Sequence, residues 1–145
     1  MPEIFQLTHA VTPQEIDWLG HANNLAYLAW MQDAAVAHSE AQGWNRERYH
    51  GEGVVWVARS HAIEYLRPAV VGDVVAIETW VSSLRKASSV RRYDIWRGQK
   101  DELLATAQTN WALINLQTRR PTRIPSVVLE SFVAVQRDDT RGAEG

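Results

Sequence analysis

A chain of 145 residues without a cysteine can bury roughly two-thirds of its unfolded surface, and it has no route to a disulfide, a thiolate zinc site or a cysteine nucleophile. Its formal net charge of −2 argues against a nucleic-acid backbone as the main partner. No segment reaches the ~18 uninterrupted apolar residues of a membrane span, and residues 1–10 lack the basic start and apolar run of a signal peptide, so the expectation is a soluble, cytoplasmic protein.

In chain order, residues 3–11 alternate, with Ile4, Leu7 and Val11 among polar neighbours, which predicts a strand. Thr12-Pro13 stops it, and a loop follows to about Asn23. Residues 24–42 are rich in helix formers, with Gly43 placed to end the helix. Leu25, Tyr27, Leu28, Trp30 and Met31 point all round its first half, the pattern of a helix buried on every side. Residues 43–53 read as a polar connection. Four strand-like runs follow, over 54–66, 74–84, 88–96 and 103–116, joined by links too short for anything but antiparallel neighbours. Arg119-Arg120-Pro121 ends the sheet, residues 126–135 suggest a short last helix, and 136–145 a charged tail.

One apolar helix and about five long antiparallel strands have few layer solutions. A strongly curved sheet wrapped around that helix satisfies them best. The expected class is therefore α+β, with the helix between first and second strands as in the hotdog fold, in a single domain over residues 1–135. The seven tryptophans suit an apolar pocket, with Trp18, Tyr27 and Trp56 as candidate lining.

The segment Asp17-Trp18-Leu19-Gly20-His21-Ala22-Asn23-Asn24-Leu25-Ala26-Tyr27 carries the chemistry. It resembles the active-site segment of hotdog thioesterases, the group that includes 4-hydroxybenzoyl-CoA thioesterase and its relatives bearing a Gly-His-x-Asn-Asn run. Residues 64–69 (Glu-Tyr-Leu-Arg-Pro-Ala) and Gly72-Asp73 are similar to the connection between that family's second and third strands. Asp17 and His21 also have the spacing of the Asp-x-Asn-x-His set of plant acyl-carrier-protein thioesterases, but Leu19 stands where that family has asparagine.

Thioester hydrolysis needs an attacking oxygen and a donor for the charge that grows on the carbonyl oxygen. Asp17 suits the first task, as nucleophile or as general base for a water. The first N–H groups of the helix have no intrahelical partner, so the Asn24 N–H suits the second. His21 can orient Asp17, shuttle a proton or shape the loop, and Asn23 reads as the helix cap. The resemblance also implies that Arg85, Lys86 and Ser88, with Ser89 beside them, contact the nucleotide of coenzyme A, whose phosphates suit basic side chains next to hydroxyls.

The expectation is an acyl-CoA thioesterase without metal or redox cofactor, pairing edge to edge as a homodimer or homotetramer. The chain has no Gly-x-Ser-x-Gly elbow, no His-Glu-x-x-His and no glycine-rich phosphate loop. A non-catalytic acyl- or CoA-binding protein and a hotdog dehydratase or hydratase are the alternatives.

Overall fold

Five runs with strand character and one dominant helix can share a core only if the sheet curves over the helix. The computed structural model, which describes residues 4–136, has that form. Strand β1 (Ile4–Ala10) leads through a 3-10 turn (Pro13–Glu15) to helix α1 (Asn24–Ala41) and a short α2 (Arg46–Gly51). Strands β2 (Val54–Tyr65), β3 (Val74–Leu84), β4 (Ser88–Arg97) and β5 (Glu102–Asn115) follow, then α3 (Ser126–Leu129). The strands form one antiparallel sheet in the order β1-β3-β4-β5-β2. This is the expected hotdog arrangement. Register shifts at Ala58/Ser60, Val81/Ser83 and Ile95/Trp96 add the local bend and twist that bulges supply.

Helix α1 buries Ala26, Tyr27, Trp30, Met31, Ala34, Ala35 and His38, the three-and-four spacing of one helical face. Against it lie Val75 and Ile77 of β3, Tyr93 and Ile95 of β4, and Leu104 and Ala105 of β5. The expectation of burial on every side is corrected: Leu25 is 75% exposed and Val36 47%. The sheet covers one side of the helix, and its opposite face is open in the single chain.

Two further boundaries differ from the sequence reading. The polar connection over 43–53 contains α2, started by Asn45, whose Oδ1 accepts the Arg48 N–H at 2.8 Å. The last helix covers only Ser126–Leu129. Beyond it the chain turns back to β3, where the Val135 N–H donates to the Val81 carbonyl at 2.8 Å and Gln136 Nε2 to the Ser82 carbonyl at 3.1 Å. Bonds to the sheet replace those that would have prolonged the helix. Of the expected charged tail, residues 137–145 lie outside the described residues. Among the described residues no helix is long and apolar enough to cross a membrane.

One carboxylate ties the front of the chain together. Glu15 Oε1 accepts His9 Nε2 from β1 at 2.8 Å and the Thr12 N–H at 2.9 Å, while Oε2 accepts Trp30 Nε1 from α1 at 2.8 Å. Burial raises the pKa of this group, but the bonds from His9, Thr12 and Trp30 outweigh it and hold the carboxyl below its ordinary value. A depressed carboxyl stabilises the fold above the unfolded-state pKa, and that contribution is lost as pH falls through the folded-state value. Glu15→Gln should therefore cost about 2 kcal/mol at neutral pH, in the range for hydrogen bonds to charged groups. In urea titrations the gap between variant and parent should narrow as pH falls below 4.5. A gap that does not change with pH would show that the charge plays no part.

Candidate active site

Loop 16–23 is a miniature hairpin. The Asp17 N–H donates to the His21 carbonyl at 2.8 Å, and the Gly20 N–H to the Asp17 carbonyl at 3.0 Å. Gly20 closes this turn at φ +84°, a left-handed conformation that glycine adopts without strain. The loop's ends meet where the Asn23 N–H donates to the Glu15 carbonyl at 2.7 Å. Within it, Asp17 Oδ1 accepts the N–H groups of Leu19 at 2.9 Å and His21 at 3.3 Å. Among the described residues, no donor bonds to Asp17 Oδ2. The carboxylate is thus oriented through one oxygen and open through the other. His21 reaches Asp17 by its backbone, not by its ring.

The loop rests on the connection between β2 and β3, the second segment that the sequence singles out. His21 pairs with Val70, and the Ala22 N–H donates to the Ala69 carbonyl at 2.8 Å. The buried Tyr27 hydroxyl accepts the Ala69 N–H at 3.2 Å. Asp73 Oδ2 accepts the Val70 N–H at 2.9 Å and Arg97 Nε at 3.2 Å, and Arg97 also donates to the Pro68 carbonyl and to Glu102. Arg97 is a positioning residue that the sequence reading missed. Its partner Asp73 lies 24 residues away, so no local pattern marks it.

At the start of α1, Asn23 has the extended backbone of a cap (φ −71°, ψ 160°), and its Oδ1 accepts the Ala26 N–H at 2.9 Å. The expected structural role of Asn23 is the one observed. Among the described residues no acceptor satisfies the Asn24 N–H, and Asn24 is exposed. A first-turn amide at the positive end of an 18-residue helix is a ready donor for a carbonyl oxygen acquiring charge. The fold therefore gathers Asp17, His21 and Asn24 about one short loop.

Arg85, Lys86 and Ser88 lie elsewhere. Loop 16–23 meets the chain at Val70, just before β3 begins, whereas Arg85 and Lys86 follow its last residue, Leu84. At about 3.3 Å per residue, the strand separates them by roughly 30 Å. The Arg85 N–H closes the turn on the Ser88 carbonyl at 2.8 Å. Both basic side chains are exposed, with no carboxylate partner among the described residues. At that same end a cavity of about 640 Å³ opens between the C-terminal half of α1, α2 and the sheet. Trp56 is among the residues that line it. Tyr27 instead belongs to the core, and Trp18 is 91% exposed.

Strand β2 forms an edge of the sheet, pairing within the chain with β5. Val55, Val57 and Tyr65 are exposed along it. A long edge of this kind invites pairing with another strand.

Set beside known proteins, residues 2–132 match the family model of the acyl-ACP thioesterase N-terminal domain. The chloroplastic palmitoyl-acyl carrier protein thioesterase of Gossypium hirsutum is 28% identical over 131 residues, which cover 86% of this chain and 32% of that protein. The chain thus spans about a third of the length of this curated relative. Among solved structures, the DHNA-CoA thioesterase from Staphylococcus aureus superposes with a TM-score of 0.81 at 21% identity, over 88% of this chain and 87% of that one. The 12:0-ACP thioesterase from Umbellularia californica does so with a TM-score of 0.79 at 23% identity, over 94% and 54%. These two structural likenesses concern the fold.

Proposed function

The chain belongs to the acyl-ACP thioesterase N-terminal domain family, and on that premise we propose that it hydrolyses an acyl thioester with Asp17 as its catalytic carboxylate. One observation carries the reading: the open Oδ2 of Asp17 and the unclaimed N–H of Asn24 are brought together by one hydrogen-bonded loop that runs into the start of α1. The substrate carbonyl oxygen takes the Asn24 N–H. Asp17 attacks the carbonyl carbon itself or removes a proton from the water that does. When Asp17 is the base, the carbon–sulfur bond breaks as the thiolate receives the proton taken from the water, and the acid is released directly. When Asp17 is the nucleophile, the thiolate leaves with a proton from solvent. A water then hydrolyses the mixed anhydride, freeing the acid and regenerating Asp17. His21 fixes Asp17 through its backbone N–H, and its ring serves to carry protons at the mouth of the loop.

For the carrier we propose coenzyme A, held by Arg85, Lys86 and Ser88. In one chain these residues are a strand's length from Asp17. Two copies joined antiparallel along β2 reverse one protomer against the other, so the basic turn of each approaches the Asp17 end of its partner. A homodimer thus reconciles the two halves of the site, and it covers the open edge. The S. aureus neighbour, spanned over 87% of its length, is named for a CoA ester. The family model and the G. hirsutum relative are named for acyl-carrier-protein esters, which makes the carrier protein the second reading.

Three measurements test the proposal. Asp17→Asn keeps an oxygen for the Leu19 and His21 N–H groups, so the variant should fold normally and lose at least about a hundredfold in thiol release, the lower end for a general base. Near-normal turnover would remove the catalytic role of Asp17, whereas binding of acyl thioesters without hydrolysis by the parent would leave an acyl-binding protein. Reversing charge at Arg85 and Lys86 together should raise KM for CoA esters and leave kcat nearly unchanged. Hydrolysis confined to acyl-carrier-protein esters would instead identify the other carrier. Placing lysine at both Val55 and Val57 should yield monomers by light scattering and abolish turnover. An active monomer would show the site to be complete in one chain.

A further inference from the structure

Arg91 of β4 is 6% exposed, yet it lacks a counter-ion among the described residues. Its Nη1 lies 2.9 Å from His38 Nδ1 and 3.1 Å from Thr79 Oγ1. Both partners are neutral. The Thr79 hydroxyl spends its proton on the Arg92 carbonyl at 3.0 Å, so its oxygen accepts. A guanidinium has no lone pair to offer, so His38 accepts at Nδ1 and carries its proton on Nε2. The remaining N–H donors of Arg91 meet no acceptor among the described residues, and the side chain lines the cavity at the C-terminal half of α1.

A buried charge without a partner is costly, and such charges are ordinarily paired. Trp44, Trp56, Val81, Leu84 and Trp111 give the space an apolar, aromatic side, while Ser39, Tyr49 and Ser89 add uncharged polar groups to its lining. Glu40, Arg46 and Glu47 also border it, but they are exposed to solvent. Arg91 is the one buried charge among the lining residues. The volume of about 640 Å³ falls in the range of small-molecule sites.

We propose that this cavity binds a carboxylate carried on an apolar body, with the acid group seated on Arg91 and the body against the tryptophans. The planar guanidinium fork matches a carboxylate, and the apolar side chains beside Arg91 make the pair stronger than it would be in open water. The site is separate from Asp17 in the chain, and binding can be read without turnover. Failure of the thioesterase reading therefore leaves this proposal standing, and its own failure leaves that reading untouched.

Because Trp44, Trp56 and Trp111 line the cavity, intrinsic fluorescence reports occupancy. Decanoate and its uncharged isostere decanamide are titrated into the unaltered chain. Decanoate should bind at least about tenfold more tightly, the effect of one charge-assisted hydrogen bond. Arg91→Met should erase that preference and leave decanamide affinity nearly unchanged, while Arg91→Lys keeps part of it. Leu84→Trp, which fills the cavity without touching Arg91, should weaken both ligands. Equal affinities in the unaltered chain overturn the proposal whether or not Arg91→Met folds. Decanoate binding unaffected by Leu84→Trp overturns it as well.

Discussion

The Asp17 end of this molecule is held together first by Glu15. Its carboxylate joins β1, the 3-10 turn and α1 through His9, Thr12 and Trp30, and its carbonyl closes loop 16–23 on Asn23. The same residue thus sets where the loop leaves the sheet and where the helix starts. Asp17 inherits its place from that closure. Without it, the angle between the carboxylate and the first amide of α1 would vary with every motion of a short exposed loop, and near-attack geometry tolerates little of that.

The molecule has two chemically distinct ends. One holds an acid, a free helix amide and a loop presenting Trp18 and Leu19 to solvent. The other holds the Arg85-Lys86 turn, the cavity and the buried guanidinium of Arg91. A strand's length separates them, so the proposed reaction spans two copies. The exposed face of α1, with Leu25 and Val36, and the open edge of β2 with Val55 and Val57 supply apolar surface for such a pairing. Burial of that surface is the ordinary driving force for association.

Leu19 illustrates how a departure from a family pattern acquires a physical meaning. Its side chain is 58% exposed, while its backbone N–H orients Asp17. Any residue but proline can make that bond, so the position serves the aspartate whatever its side chain. What an asparagine there would add to the chemistry, this chain must obtain from another group or do without.

The strands, the long helix and the cap at Asn23 were legible in the sequence because each rests on local rules: alternation, helix propensity and a side chain three residues from the amide it satisfies. The Asp17 segment stood out through its resemblance to hotdog thioesterases, while the hairpin that shapes it appeared only in the structure. The overestimate of burial around α1 came from reading side-chain type without knowing how many faces the sheet could cover. The helix over Arg46–Gly51 was hidden in a polar stretch without apolar periodicity, although the Asn45 cap that starts it is a local signal. Strand order, the support that Arg97 gives to Asp73 and Pro68, the distance between Asp17 and Arg85, and the burial of Arg91 beside His38 were decided by tertiary structure alone. They join residues far apart in the chain, and no propensity or spacing encodes which distant segments will lie side by side once the sheet has curved over its helix.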